Sequence, residues 1–266
     1  MKRTTRRRLV LVGLNVLVLA FALAAVLLVK ANWDTIGPNF WSPGRKDTWR
    51  DLITTGVKNT VIYTVIAFSG GLVLAVALAL GRLSPVFTLR WVATAYIEFF
   101  RGLPALLVIS FMAYGPEIAF GWRPPGGLPG AGLLALILVA SAYMAETVRA
   151  GIQAVPRGQS EAARSLGMGG GATMVRIILP QAFRVVIPPL TNEFVLLIKD
   201  TALLSVIGVQ LGQRELTTVA RDFESTGATA QTSTSLVQAA LIYLVITIPL
   251  TQLVSWLERR QRRATR

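Results

Sequence analysis

Ala131-Gly-Leu-Leu-Ala-Leu-Ile-Leu-Val-Ala-Ser-Ala-Tyr-Met-Ala-Glu-Thr-Val-Arg-Ala-Gly151 is a run of 21 residues whose only charges are Glu146 and Arg149. A helix that crosses a bilayer needs about 20 mostly apolar residues. Five further runs meet the same test. Leu9–Val29 is uncharged, as is Asn59–Gly81. Trp91–Pro116 carries only Glu98 and Arg101. Phe183–Gly208 carries Arg184, Glu193, Lys199 and Asp200. The last, Ser225–Leu257, is uncharged until Glu258 follows it, except that its apolar part begins near Leu236. The chain therefore reads as an all-α membrane protein with six transmembrane helices.

Composition agrees. Of 266 residues 53% are hydrophobic and 23 are Gly, while only 15% are charged, against about 25% in soluble domains. The charge sum is 27 minus 13, or +14. The basic residues lie in short clusters between long uncharged runs rather than on a polar face, which points to a membrane and not to nucleic acid. Lys2–Arg8 and Arg259–Arg266 flank the outermost spans. By the positive-inside rule both termini are cytoplasmic, and the basic tails set topology and meet anionic membrane lipid. The segments around Arg82 and Arg90 and from Ile152 to Gln181 also fall inside. Arg45, Lys46 and Arg50 on an outer segment run against the rule. Cleavage of the first span as a signal peptide is the alternative, but its 21 uncharged residues exceed the usual h-region of about 7–15. The chain has no Cys and no His, so disulfides, Cys or His metal sites, and Ser–His–Asp or Cys–His catalysis are excluded.

The segment Ile152–Gln181 is longer than a simple connector between helices. Within it, Pro156 suits a first helical turn and Glu161-Ala162-Ala163-Arg164 are good helix formers, followed by Leu166. Gly167 suits the left-handed residue that closes a helix. These residues predict a short helix with small Ala162 and Ala163 on its surface. Such a helix either receives another protein or lies on lipid headgroups. Gly167-Met168-Gly169-Gly170-Gly171-Ala172 formally matches a dinucleotide loop, but the strand and βαβ unit that such a loop needs have no place between two spans.

Glu161-Ala162-Ala163, Gly167 and Ile178-Leu179-Pro180 resemble the "EAA" loop of ABC importer permeases. Further segments are similar to the polar amino-acid branch of that family: Tyr96–Pro104, Ala142–Arg149, Gly158-Gln159, Leu179–Ala182, Lys199-Asp200-Thr201 and Leu257–Arg260. The resemblance covers about residues 56–260. It implies a type I permease core of five helices plus an N-terminal helix. Residues 1–55 then form a tail, first span and external segment, and 261–266 a basic tail. It further implies that the EAA loop, through Gly158, Gln159, Glu161, Ala162, Ala163, Leu166 and Gly167, docks into a cytoplasmic ABC ATPase dimer. ATP and Mg belong to that partner. This chain carries no Gly-x-x-x-x-Gly-Lys-Ser/Thr run and no cofactor of its own. A second permease chain and an extracytoplasmic amino-acid-binding protein complete the assembly in the bacterial inner membrane.

Charges inside spans are costly and usually face a partner or water. Glu98 with Arg101, and Glu146 with Arg149, stand three apart on one helix face. Each pair either neutralises itself and braces the bundle, or serves substrate and gating. Asn192 and Lys199 share one stripe of the fifth span, and Glu193 and Asp200 the next. With Thr201 they would offer a zwitterionic amino acid an acceptor for its ammonium and a donor for its carboxylate; otherwise Lys199 and Asp200 are a hydrated helix end. Pro188-Pro189 should kink or interrupt that span, and Gly102 with Pro104 should bend the third. The expected function is the permease subunit of an ATP-driven amino-acid importer. The rivals are an ion-coupled secondary carrier and a membrane enzyme or scaffold.

Overall fold

The computed structural model describes residues 46–226 and 229–264, together with Ala20 and Phe40. The chain divides into Met1–Ser42 and Pro43–Arg266, and the description concerns the second unit. The expected first span, Leu9–Val29, and the alternative cleavage site lie outside the described residues. Among the described residues every regular element is helical.

A short helix α1 (Lys46–Asp51) passes through one wide π turn into α2 (Lys58–Leu83). Then come α3 (Phe87–Gly102), α4 (Ala105–Phe120) and α5 (Gly127–Ala154). The segment expected to be structured holds α6 (Arg157–Ser165) and α7 (Gly170–Thr173). A π turn leads on into α8 (Leu179–Asp200), which ends in a 3-10 turn, Thr201–Val206. Last come α9 (Leu216–Ser225) and α10 (Thr234–Ala264). Among the described residues four helical stretches are long and apolar enough to cross a membrane: Thr48–Leu83, Gly127–Ala154, Gly170–Val206 and Thr234–Gln261. A fifth crossing is made only if α3 and α4 count as one, and these two bend by 103° at Leu103-Pro104. The sequence had Trp91–Pro116 as one bent span. The break is complete because Pro104 pushes Leu103 into extended backbone (φ −98°, ψ 139°), so two helices of 16 residues result.

α5 is the axis of the bundle. It packs against α2 most extensively, then against α8, α4 and α3. Lipid is as apolar as leucine, so helix association in a membrane relies on close fit rather than on escape from water. The sequence supplies that fit. Ala67, Gly71, Ala75 and Ala79 recur every fourth residue on α2, and all four are buried. A Cβ on Gly71 would stand 2.6 Å from Met144 Cε on α5. Where α5 meets α8, a Cβ on Gly151 would collide with Val186 Cγ1. Ile97, Ile109, Leu136, Val186 and Leu204 fill the space around this seam.

The expected interruption of α8 does not occur. Pro188 and Pro189 lie inside a continuous helix. Pro188 has no N–H for the Arg184 carbonyl four residues back. That carbonyl instead accepts a 2.8 Å hydrogen bond from Gln261 Nε2 on α10. A backbone carbonyl orphaned by proline is thus satisfied from a neighbouring helix.

At the bundle end remote from α6, the segment before α9 is clamped to α2. Asn59 Nδ2 donates to the carbonyls of Gly212 and Arg214, each at 2.9 Å. Tyr63 donates to Gln213 O at 2.6 Å, and the Leu216 N–H donates to Thr60 Oγ1 at 3.1 Å. Glu215, wholly buried, caps α9 by accepting from the N–H groups of Thr217 and Thr218 at 2.6 and 2.7 Å. α9 lies between the fifth and sixth apolar runs and was not anticipated from the sequence; its capping carboxylate and amphipathic ten residues were the signal.

Candidate functional site

The short helix forms where the sequence places it. Pro156 takes the cap position (φ −57°, ψ 134°) and α6 follows from Arg157. Its end is doubly closed. The Gly167 N–H donates to Arg164 O at 2.9 Å and the Met168 N–H to Ala163 O at 3.1 Å, with Gly167 left-handed at φ +80°. Gly158, Gln159, Glu161, Ala162 and Leu166 are exposed, Leu166 at 83%. Ala163 is not: at 5% exposure it is the anchor that seats the helix on the chain, so the two alanines do not share the surface as expected. Gln181 Nε2 donates to Gln159 Oε1 at 3.3 Å and to Ile177 O at 2.9 Å, tying α6 to the start of α8. α6 is joined to α5 by Val155 and Pro156 alone. The Gly169–Thr173 stretch winds into α7, with Thr173 bonded back to Gly169 O; it is helical, not a phosphate loop after a strand.

A cavity of about 190 Å³ lies between α5 and α8. Its walls include Leu136, Val139, Tyr143 and Leu196, and its charges are Glu193 and Asp200. The seven-residue spacing thus brings both carboxylates to one space. Arg101 lies over the Tyr143 ring, its Cζ 5.6 Å from the centroid. Glu193 is within electrostatic reach of both Asp200 and Arg101. The other expected pathway residues go elsewhere. Lys199 faces a separate groove of about 470 Å³ with Thr247, Thr251, Ser255 and Arg259 of α10. Adjacent helical residues point about 100° apart, so Lys199 and Asp200 serve different spaces. Asn192 is exposed and is not among the cavity walls. Thr201 is fully buried and donates to Ile198 O at 2.7 Å.

Of the two expected intrahelical pairs, one forms. Arg149 donates to Glu146 Oε2 through Nη2 at 2.8 Å and Nε at 3.0 Å. Glu98 pairs instead with Arg82 of α2, at 3.1 Å. Arg82 also bonds Glu146 through its other terminal nitrogen. Arg101 is free to turn to Tyr143 because Arg82 has taken Glu98. The sequence carried no hint of Arg82 beyond its place at the end of a span. Among the described residues no group of His, Cys, Asp and Glu is arranged to hold a metal ion.

A membrane bundle with a cavity along its axial helix, and one exposed short helix rigidly joined to that axis, is the build of a transporter's membrane subunit. Residues 71–263 match the family described as "Binding-protein-dependent transport system inner membrane component", and the chain belongs to that family. It is 42% identical over 206 residues to the probable glutamine ABC transporter permease protein GlnM of Bacillus subtilis, covering 77% of this chain and 91% of that one. It is 36% identical over 230 residues to the L-cystine transport system permease protein TcyB of the same organism, covering 86% and 90%. A solved structure described as an amino acid ABC transporter with histidines superposes with a TM-score of 0.70 at 36% identity, over 81% of this chain and 97% of that one.

Proposed function

We propose that this chain is the membrane-spanning permease subunit of an ATP-driven, binding-protein-dependent amino-acid importer. One observation carries the reading: the exposed α6 is not a free tether but is held at its start, to α5 through Val155-Pro156 and to α8 through the Gln159–Gln181 bond, and is seated in its later half by buried Ala163. α5 and α8 are also the two walls of the cavity with Glu193 and Asp200. A push on α6 therefore moves the walls of that cavity. Permeases of glutamine and cystine among the relatives, and the amino-acid transporter among the solved structures, support an amino acid as cargo. In this reading α6 faces the cytoplasm and seats in an ABC ATPase dimer, which binds ATP and Mg. Glu161 offers a charge and Leu166 an apolar knob to that partner. A second permease chain supplies the other half of the pathway, and a binding protein delivers substrate at the end where α9 lies. Within the cavity Glu193 and Asp200 accept an ammonium, while Arg101 stands near for a carboxylate.

Reconstitution in liposomes with the ATPase and binding protein tests this. Labelled amino acid is expected to enter only when ATP reaches the ATPase side. Uptake that continues without the ATPase and stops on adding an ionophore would overturn the reading in favour of an ion-coupled carrier.

A further inference from the structure

Arg82 closes the last turn of α2, where its side chain is 23% exposed. Its guanidinium forks. Nη2 holds Glu98 of α3 at 3.1 Å, and Nη1 holds Glu146 Oε1 of α5. The second oxygen of Glu146 is held by Arg149, and Arg149 Nη1 donates to Gln153 Oε1 at 2.6 Å. Glu98, Arg82, Glu146, Arg149 and Gln153 thus form an unbroken polar chain. It starts on α3, crosses α2 and descends α5 to within two residues of Val155, the foot of α6. Two positive and two negative charges in it cancel.

We infer that Arg82 is a positioning residue for transport: it makes α2 and α3 follow α5 when α6 is displaced. The inference rests on the importer reading above. α3 also meets the rest of the bundle through buried Ala93 and Ile97, partly buried Phe100, and Tyr96, whose hydroxyl bonds Leu138 O at 3.1 Å and Ser141 Oγ at 3.0 Å on α5; the fork adds a charged link that ties α3 to α2 as well as to α5. A charged hydrogen bond adds to the packed seams a contact of fixed direction and distance. Arginine presents its donors in a rigid planar fork, so its two terminal nitrogens hold two carboxylates at a fixed separation. Partly hydrated ion pairs add little to folding stability. Removing Arg82 leaves Glu146 paired with Arg149, and leaves Glu98 at 58% exposure in contact with solvent. The fork is therefore dispensable for folding and needed for transmission.

The test compares wild type, Arg82→Gln and Arg82→Lys in liposomes with ATPase and binding protein, measuring ATP hydrolysed and amino acid taken up in the same sample. Arg82→Gln is expected to retain the ATPase on purification and hydrolyse ATP at the basal rate. Its uptake per ATP should fall about tenfold, within the range by which residues between coupled sites alter coupling. Arg82→Lys, able to hold one carboxylate, should fall between. Glu98→Gln removes the α3 arm alone and should lower the same ratio, which keeps the idea testable if Arg82→Gln does not fold. An uptake-to-hydrolysis ratio equal to wild type in Arg82→Gln, or in Glu98→Gln where the former is lost, overturns the inference and leaves the importer reading standing. Absence of ATP-dependent uptake by the wild type removes both.

Discussion

At Gly167 the backbone stands at φ +80°, and a Cβ added there would meet nothing within 4 Å. Space is not the constraint; conformation is. A side chain in the left-handed region costs about 1–2 kcal/mol, and a β-branched one crowds its own backbone further. Gly167→Val is expected to unwind the double closure of α6 and lower substrate-stimulated ATP hydrolysis and uptake together, while Gly167→Asn, tolerated at such positions, keeps most of both. Glu215 is the opposite case, a buried carboxyl outside the spans. Burial raises its pKa above the usual carboxylate range, and the bonds from Thr218 and the Thr217 N–H only partly offset this. Its folded value exceeds its open-chain value, so its stabilisation is complete at low pH and is lost as pH rises through the folded value. The melting temperature of the wild type in detergent should therefore decline, relative to that of Glu215→Gln, which cannot ionise, as pH is raised above the ordinary carboxylate range. A difference that stays constant as pH rises would contradict the assignment. Gly167 was legible in the sequence because one residue type answers one backbone need. The burial of Ala163, and the groove on α10 that Lys199 meets, were not, since each depends on which neighbour a helix face meets.

Among the helices, the fit of α2 on α5 and the repair of α8 are the features most open to measurement. The ridge Ala67-Gly71-Ala75-Ala79 sets how near α2 can come. Gly71→Leu must displace Met144 and the α5 backbone beside it, at a cost of about 1–3 kcal/mol for overpacking. It should reduce the monodisperse fraction recovered on size exclusion, and Gly71→Ala should do so less. Gln261→Leu strips the Arg184 carbonyl of its partner. The bond is exposed, so its loss should cost about 0.5–1.5 kcal/mol, and this variant should melt slightly earlier, with little change if Pro188 is replaced by Ala in the same chain. That second variant restores the N–H and separates the bond from other effects. Four of the six expected spans form among the described residues and were readable from hydropathy, since lipid demands a long apolar run. The continuity of α8 through Pro188-Pro189 was not, because the compensating donor lies 77 residues away. The elbow at Leu103-Pro104 was half legible: its place follows from proline sterics, its 103° from packing that no local rule contains.

For the molecule as a whole, the decisive surface is α6. Ala162 is exposed and small. Ala162→Trp is expected to leave the permease folded, since the residue touches no core, yet to abolish copurification of the ATPase. Retention of the ATPase at wild-type yield would place the contact elsewhere. The family was legible because Glu161-Ala162-Ala163, Gly167 and Ile178-Leu179-Pro180 stand in order within one segment between two apolar runs. The membrane cavity was less so. Glu193 and Asp200 meet as their spacing requires, but Tyr143 and Arg101 join them only through the arrangement of α3, α5 and α8.

The elbow also bears on the lipid around it. Each of its arms is 16 residues long, about 24 Å, whereas the hydrocarbon layer is about 30 Å thick. Neither limb alone reaches from headgroup to headgroup, so the bilayer beside it must pinch inward or let water dip toward the corner. Acyl-chain length then becomes a control knob: turnover should be fastest in short-tailed phospholipids and decline as tails lengthen, with no residue altered.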